Sequence, residues 1–360
     1  MKLIAQIKLM PTVEQGKALK DTITRVNEAC AYVSSIAFET KTFGQFALQK
    51  AVYLDVKSKF GLTAQMAIHA IKKVVDSYKK NKNSLHKFHT TGAITYDDRI
   101  LSWKPQDQQV SIWTLSGRQR IPFVSGEKQK ELLNHRQGES DLVKINRNFY
   151  LLAVCNVEEP DPKKVKDFIG IDLGIINIAT TSDGQRMSGS KVKKLRKQHN
   201  KLRAKLQSKG TKSARRLLKK RRRKESRFAR NVNHCISKAI VVEAERTLRG
   251  IALEDLKHIR ARVRVRKPQR AALHSWSFGQ LRSFIEYKAK RAGVPVVAVD
   301  PANTSRTCPE CGNVSKGNRK TQSEFSCNVC KHSGNADVIA AKNIRRVAVS
   351  RPDAVSRNAA

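Results

Sequence analysis

Residues 2–9 (KLIAQIKL) place polar and apolar side chains in turn, the two-residue period of a strand with one buried face. Pro11-Thr12 then opens a stretch with the 3.6-residue period of an amphipathic helix, running to about Phe38. Two further helical stretches follow, at about 45–59 and about 63–80. The second carries Met66, Ala70, Ile71, Val74 and Tyr78 along one face, as core. From Gly92 to about Val157 the chain turns to short runs rich in β-branched and aromatic residues (AITYDDRILSW, QVSIWTL, RIPFV, FYLLAVCNV), separated by polar turns. This predicts a small antiparallel barrel or sandwich to which the first strand returns.

Residues 158–167 (EEPDPKKVKD) are a linker by composition. Residues 168–184 (FIGIDLGIINIATTSDG) then read as a strand, a tight turn at Gly174, a second strand and an Asp183-Gly184 turn. Two helices interrupted near Gly210 follow, and the second leads into a short strand, GIALEDL. Residues 260–270 (RARVRVRKPQR) form a basic loop. Ser277 and Gln280 make a capping box before a helix bearing Leu281, Phe284, Ile285, Lys288 and Ala289. Trp276, Phe284 and Tyr287 have the spacing of helix packing rather than of a stacking platform. VPVVAVD is a buried type of strand. A last helix begins near Asn335, with Ala336, Ala340, Ile344 and Val347 on one face, and the chain beyond about 349 reads as a frayed tail. No internal repeat is evident.

Charge changes the picture. The 360 residues carry 72 Lys+Arg against 30 Asp+Glu, a formal charge of +42, and chemistry on a small metabolite needs no such excess. From Arg186 to Arg230 there are 21 basic residues and one acid, Glu225, so this arm supplies +20 of the total. Its natural counterions are phosphates. Lys193, Lys194, Arg196, Arg215, Arg216, Arg221, Arg222 and Arg223 are the candidate contacts to a nucleic-acid backbone, with Arg306 beside the cysteine pairs as a further one. No run approaches the roughly 18 apolar residues of a membrane span. Neither a membrane nor a small-molecule substrate is expected, and the predicted location is the cytoplasm of a prokaryotic cell, in association with the nucleoid.

Two constellations carry chemistry. Cys308-x2-Cys311, fifteen residues, then Cys327-x2-Cys330 has the spacing of a four-cysteine zinc ribbon, with Gly312 just after the first pair and Gly334 shortly after the second. Four thiolates close a tetrahedron, so one zinc ion would be structural; His332 is the alternative fourth ligand. Cys30, Cys155 and Cys235 are isolated. The second constellation is acidic: Asp172, Glu254 and Asp337 stand at the ends of predicted elements in a chain short of acids. If the strands pair, Asp172 and Glu254 converge, and Asp337 enters from the first turn of the last helix. Three converging carboxylates repel unless hard divalent ions sit among them, and magnesium suits an all-oxygen site. A pair of ions about 3.5–4 Å apart serves phosphodiester hydrolysis.

The order of these motifs resembles the OrfB/TnpB family of insertion-sequence-encoded RNA-guided nucleases, relatives of the type V CRISPR effectors. The resemblance runs through MKLIAQIKLMPT, GAITYDDRI, GIDLG, LEDL, HSWSFGQLRSFIEYKA, VDPANTSRTCPECG, CNVC and ADVIAAKNI. It implies an α/β and β multidomain chain. A wedge-type β-barrel (1–12 and 86–160) would carry a helical recognition insertion (13–85). A RuvC-like nuclease domain of RNase H fold (161–304 and 334–349) would follow, split by the basic helical arm (about 186–245) and the zinc ribbon (305–333), with a flexible tail at 350–360. Asp172, Glu254 and Asp337 match the first, second and third catalytic acids, and the four cysteines match the zinc ligands. The partners implied are a guide RNA transcribed from the element and double-stranded target DNA, cut beside a short adjacent motif by two-magnesium catalysis. Many members have an acid two positions before the third catalytic one, where this chain has Asn335. The alternatives are a catalytically silent guided DNA-binding regulator and a transposition accessory protein. A strand-joining tyrosine transposase would need a His-hydrophobic-His motif with a positioned Tyr, which the sequence lacks.

Overall fold

The structure is a computed structural model and describes residues 1–256 and 278–350. The basic loop at 260–270, Trp276, Ser277 of the expected capping box and residues 351–360 lie outside the described residues. By its contacts the chain divides into two units, 1–158 and 159–360.

In the first unit, strand β1 (Lys2–Leu9) leads into helix α1 (Val13–Glu39). Thr12 caps α1 reciprocally: its hydroxyl accepts from the Gln15 N–H, and Gln15 Oε1 accepts from the Thr12 N–H. Helices α2 (Gln45–Phe60) and α3 (Ala64–Lys80) follow, and α3 buries the predicted Met66, Ala70, Ile71, Val74 and Tyr78. The strands are β2 (Ile94–Tyr96), β3 (Leu101–Lys104), β4 (Gln109–Thr114), β5 (Gly117–Val124), β6 (Arg136–Ile145) and β7 (Asn148–Asn156), with a short helix α4 (Glu127–Leu133) before β6.

They form one seven-stranded sheet in the order β2-β6-β7-β1-β5-β4-β3, antiparallel throughout. The first strand does return, pairing with β7 from Lys2 to Lys8. The sheet's two edge strands are consecutive in the chain. The run AITYDDRILSW is therefore two strands rather than one, because the Asp97 carbonyl accepts from the N–H groups of Ile100 and Leu101 and folds a turn between them. The sequence pattern had also shown neither α4 nor β6, a polar strand with an irregularity between Arg136 and Ser140.

The second unit is built on a five-stranded sheet of β8 (Phe168–Asp172), β9 (Asn177–Thr181), β10 (Arg186–Ser188), β11 (Gly250–Glu254) and β12 (Val296–Val299). Its order is β10-β9-β8-β11-β12. β8, β11 and β12 run parallel, while β9 and β10 are antiparallel additions beside β8. Helices α5 (Ser190–Lys209) and α6 (Lys212–Arg246) form the basic hairpin, α7 (Phe278–Arg291) precedes β12, and α8 (Ala336–Val349) ends the described chain.

Burial on both faces explains the near-continuous apolar β8 and β11. Ile169, Ile171, Ile251 and Leu253 pack on α6 and α7. Phe168 and Ala252 point the other way, with Val297, Val299 and the α8 residues Ile344 and Ala348. Gly170 lies on this second face, and a β-carbon there would stand 2.0 Å from the Ala341 carbonyl oxygen of α8. The glycine lets the helix backbone rest directly on the strand.

Candidate active site and zinc ribbon

The two-residue period of the strands places the acids. Asp172 and Glu254 follow Phe168–Gly170 and Ala252 on the α8 face, each at the C-terminal end of its strand. The register pairs Ile171 with Leu253, which brings the two acids side by side one step further on. Asp337 lies one helical turn before Ala341, the residue over Gly170, so the helix carries it toward the same strand ends. The three predicted acids thus come together from three separate segments.

Two of them are held by neighbours. Thr304 Oγ1 donates to Glu254 Oε1 at 2.5 Å, and Asn177 Nδ2 donates to Asp337 Oδ2 at 2.9 Å. Arg319 Nη2 lies 3.6 Å from Asp337 Oδ1. Asn335 is the N-cap of α8, its Oδ1 accepting from the Val338 N–H at 3.3 Å. Burial, then the charges of Glu254 and Asp337, push Asp172 up to about 7, against the lowering influence of Arg319. Burial also raises Glu254, opposed by the Thr304 hydrogen bond and Arg319. Among the described residues, the group of three or more His, Cys, Asp or Glu ligand atoms lying within 4.8 Å of one another is made of cysteines.

That cysteine group is Cys308, Cys311, Cys327 and Cys330. Cys308 Sγ lies 3.5 Å from Cys330 Sγ, and Cys311 Sγ lies 3.5 Å from Cys327 Sγ. A tetrahedron with Zn–S bonds of about 2.3 Å has edges of roughly 3.8 Å, so the four thiols fit zinc. Each knuckle closes by a matching pair of bonds. The Gly312 N–H donates to the Cys308 carbonyl and the Lys331 N–H to that of Cys327, with both donors in the left-handed region at φ 74° and 61°. The second knuckle therefore turns on Lys331, not on Gly334, which sits in strand β14 (Ser333–Asn335) paired with β13 (Glu324–Ser326). His332 is not in the cysteine group; its carbonyl accepts from the Cys327 N–H.

The candidate backbone contacts lie on the hairpin. Lys193, Lys194, Arg215, Arg216, Arg221, Arg222 and Arg223 are exposed, and Arg196 is half-buried. Arg203 Nη2 meets Glu225 Oε2 at 3.1 Å, so the arm's one acid ties the two helices together. Arg306 is exposed, and its carbonyl accepts from Asn318 Nδ2 at 2.9 Å. Phe284 stacks on His234 of α6 at 4.0 Å and meets Tyr287 edge-on. Arg319, Thr304 and Asn177 were not singled out from the sequence. Nothing distinguishes Arg319 from its neighbour Lys320 in the ribbon, and a threonine or asparagine in a loop has no pattern.

A mixed sheet with carboxylates at the C-terminal ends of two parallel strands, a third acid entering on a helix and a four-thiol ribbon before that helix define an α/β chain with an acidic site. A family model described as "Probable transposase" (OrfB) matches residues 152–260, and one described as "Cas12f1-like, TNB domain" matches 278–344. The chain is 33% identical to the TnpB-like protein of Methanocaldococcus jannaschii over 196 residues, covering 51% of this chain and 70% of that one. It belongs to the OrfB/TnpB family.

It is also 40% identical over 124 residues to the CRISPR-associated endodeoxyribonuclease Cas12f1 of Sulfoacidibacillus thermotolerans, covering 34% of this chain and 28% of that protein. Against the putative RNA-guided DNA endonuclease InsQ of Escherichia coli it is 29% identical over 49% of this chain and 48% of that one. Its matches thus span less than half of these two nucleases. In fold it is similar to Cas12f1 solved in a complex with sgRNA and target DNA, at TM-score 0.58 and 15% identity over 91% of this chain and 82% of that one. It is similar also to the mini-RNA-guided endonuclease Cas-phi3, at TM-score 0.51 and 11% identity over 97% and 92%. The fold is that of compact RuvC-containing effectors. Among the described residues no helix is long and apolar enough to cross a membrane.

Proposed function

We propose that the chain is an RNA-guided DNA endonuclease of a transposable element, which hydrolyses phosphodiester bonds of target DNA beside a short adjacent motif. The observation that carries this reading is the meeting of Asp172, Glu254 and Asp337, from segments up to 165 residues apart in sequence, at one end of the sheet. Holding like charges together in a half-buried place is costly, and a silent DNA-binding regulator would have no use for it. The names of the relatives, InsQ and Cas12f1, point the same way.

The three acids would hold two magnesium ions, hard cations suited to an all-oxygen site. When bound, such ions activate a water and stabilise the leaving oxygen of an in-line displacement. The chain's own residues supply the rest. Asp172, raised to about 7, gives up its proton in favour of a cation, and Arg319 brings a positive charge to the edge of the same cluster. Thr304 and Asn177 hold two of the acids in place.

Residues 305–333 would be a structural zinc ribbon. In the first unit, the sheet would be the wedge-type barrel, and α1–α3 the recognition insertion. The exposed cations of α5 and α6 would hold guide RNA and heteroduplex by their backbones, leaving sequence to base pairing. RNA that co-purifies through high-salt washing, when the protein is expressed with its native flanking DNA, provides the guide for the test. Asp172→Ala and Glu254→Ala should each lose cleavage of matched DNA while retaining that RNA; cutting unchanged in both variants would sink the assignment.

A further inference from the structure

We propose that Thr304 is a positioning residue for the second acid: its hydroxyl fixes the Glu254 carboxylate in the orientation that receives a divalent cation, and Asn343 of α8 holds Thr304 in turn. The inference rests on the reading of Asp172, Glu254 and Asp337 as a divalent-cation site. Thr304 Oγ1 lies 2.5 Å from Glu254 Oε1, in the range of a charge-assisted O–H···O⁻ bond. Both side chains are buried, Thr304 at 5% exposure and Glu254 at 8%, so water does not compete for the contact. A hydroxyl has one proton to give. The Pro301 carbonyl is a second acceptor within reach at 3.2 Å, and the shorter contact assigns the proton to the carboxylate. With Oε1 engaged in this way, Oε2 is the oxygen left to meet a cation.

Thr304 is itself pinned. Asn343, 3% exposed, donates from Nδ2 to the carbonyls of Thr304 at 2.8 Å and Thr307 at 2.7 Å. Just before them the chain turns at Asn303, whose φ of 62° is left-handed and whose carbonyl accepts from the N–H groups of Arg306 and Thr307. The 303–307 turn is thus fastened to α8, the helix that bears Asp337. Two acids remote in sequence are referred to one rigid element, Asp337 through the chain and Glu254 through Thr304 and Asn343. No charge is spent on this link, so it orients the carboxylate without competing for the cation. A carboxylate freed from it would swing away from Asp172 and Asp337, whose charges repel it.

The test uses Mn²⁺ as probe on the full-length protein without nucleic acid, counting free Mn²⁺ by electron paramagnetic resonance. Thr304→Val keeps the shape and removes the hydroxyl. It should weaken Mn²⁺ binding by about 10- to 100-fold, the usual cost of losing a group that orients a metal ligand, and raise the Mn²⁺ needed for half-maximal cleavage to match. Thr304→Ser should restore both, and Thr304→Cys, a weak donor of similar size, should fall between. Zinc content and melting temperature report folding. Wild-type affinity in Thr304→Val, with Asp172→Ala having lost binding, overturns the positioning role alone. Unchanged binding in Asp172→Ala overturns the cation site and this inference with it. Should Thr304→Val not fold, equal affinities in the Ser and Cys variants overturn the proposal.

Discussion

The acid cluster and the basic hairpin share one unit of the protein and are built in opposite ways. Each acid is placed by something singular: a strand end, a glycine that lets a helix touch a strand, a threonine hydroxyl, a capping asparagine. Moving any one by the width of an atom changes what the three can hold. The hairpin presents its cations on the outside of two helices, where several side chains offer the same charge to the same partner. The ion pair of Arg203 with Glu225 joins the two helices and serves their packing. Chemistry at a metal demands position, whereas attraction to a phosphate backbone demands only density, because counterion release adds up over many contacts. Substitutions in the cluster should therefore act steeply and singly, and those in the hairpin shallowly and in sum.

The largest effect should come from the acids. Asp172→Ala is expected to lower cleavage on the order of a thousandfold, as removal of a preorganised charged group does, with RNA retention unchanged in a filter-binding assay. Next comes the ribbon, which supplies Arg319 to the cluster and adjoins Thr304. Cys311→Ser should release zinc, measured by a colorimetric chelator, and lower cleavage roughly 10- to 100-fold through the misplaced neighbours. If cleavage survives zinc loss intact, the ribbon does not support the acids and the cluster is less dependent on position than its geometry suggests. Gly170→Ala should cost about 3 kcal/mol in urea unfolding, since α8 must lift off β8, and cleavage should fall with it.

Much of the arrangement was legible in the chain, and the parts that were not share a cause. Apolar period alone located α1–α3, β8, β9, β11 and β12, because each buries a face or both faces. The strand β6 escaped because RQGESDLVKI mixes polar residues with an irregular register, and α4 because seven residues hold too little period to read. In the site, the acids and cysteines stood out as rare types in informative places. Arg319 did not, since one cation among 72 carries no signal until the ribbon folds it back toward Asp337. Thr304 and Asn343 likewise gain meaning only from a hydrogen-bond chain that joins residues 254, 304 and 343. The left-handed turn of the second knuckle falls on Lys331, a position the sequence does not mark because glycine is the habitual left-handed residue.

A smaller effect separates the cluster's two roles of charge. Asp172 is raised from the ordinary carboxylate range to about 7, chiefly by burial and then by Glu254 and Asp337. Between those limits the folded acid holds a proton that the unfolded acid has lost. The folded state therefore loses stability as pH rises through that interval. In the absence of divalent cations, urea midpoints taken from pH 5 to 8 should fall more steeply for the wild type than for Asp172→Asn, and added Mg²⁺ should flatten the difference. Identical slopes in the two proteins would mean that Asp172 is not destabilised by its neighbours.

The smallest effect is expected in the hairpin and bears most directly on the contrast. Arg215 is exposed on α6 amid Arg216, Lys219 and Lys220. Arg215→Ala should weaken RNA binding slightly and evenly across sequences, and lower the slope of log affinity against log salt by about one, the release of roughly one counterion. Cleavage at low salt should be unchanged. Replacing Arg215, Arg216, Arg221 and Arg222 together should lower the slope by about four, with no step between the single and the quadruple variant. If instead Arg215→Ala alone removed most of the binding, the hairpin would contain a specific site as exacting as the acid cluster, and density of charge would no longer account for it.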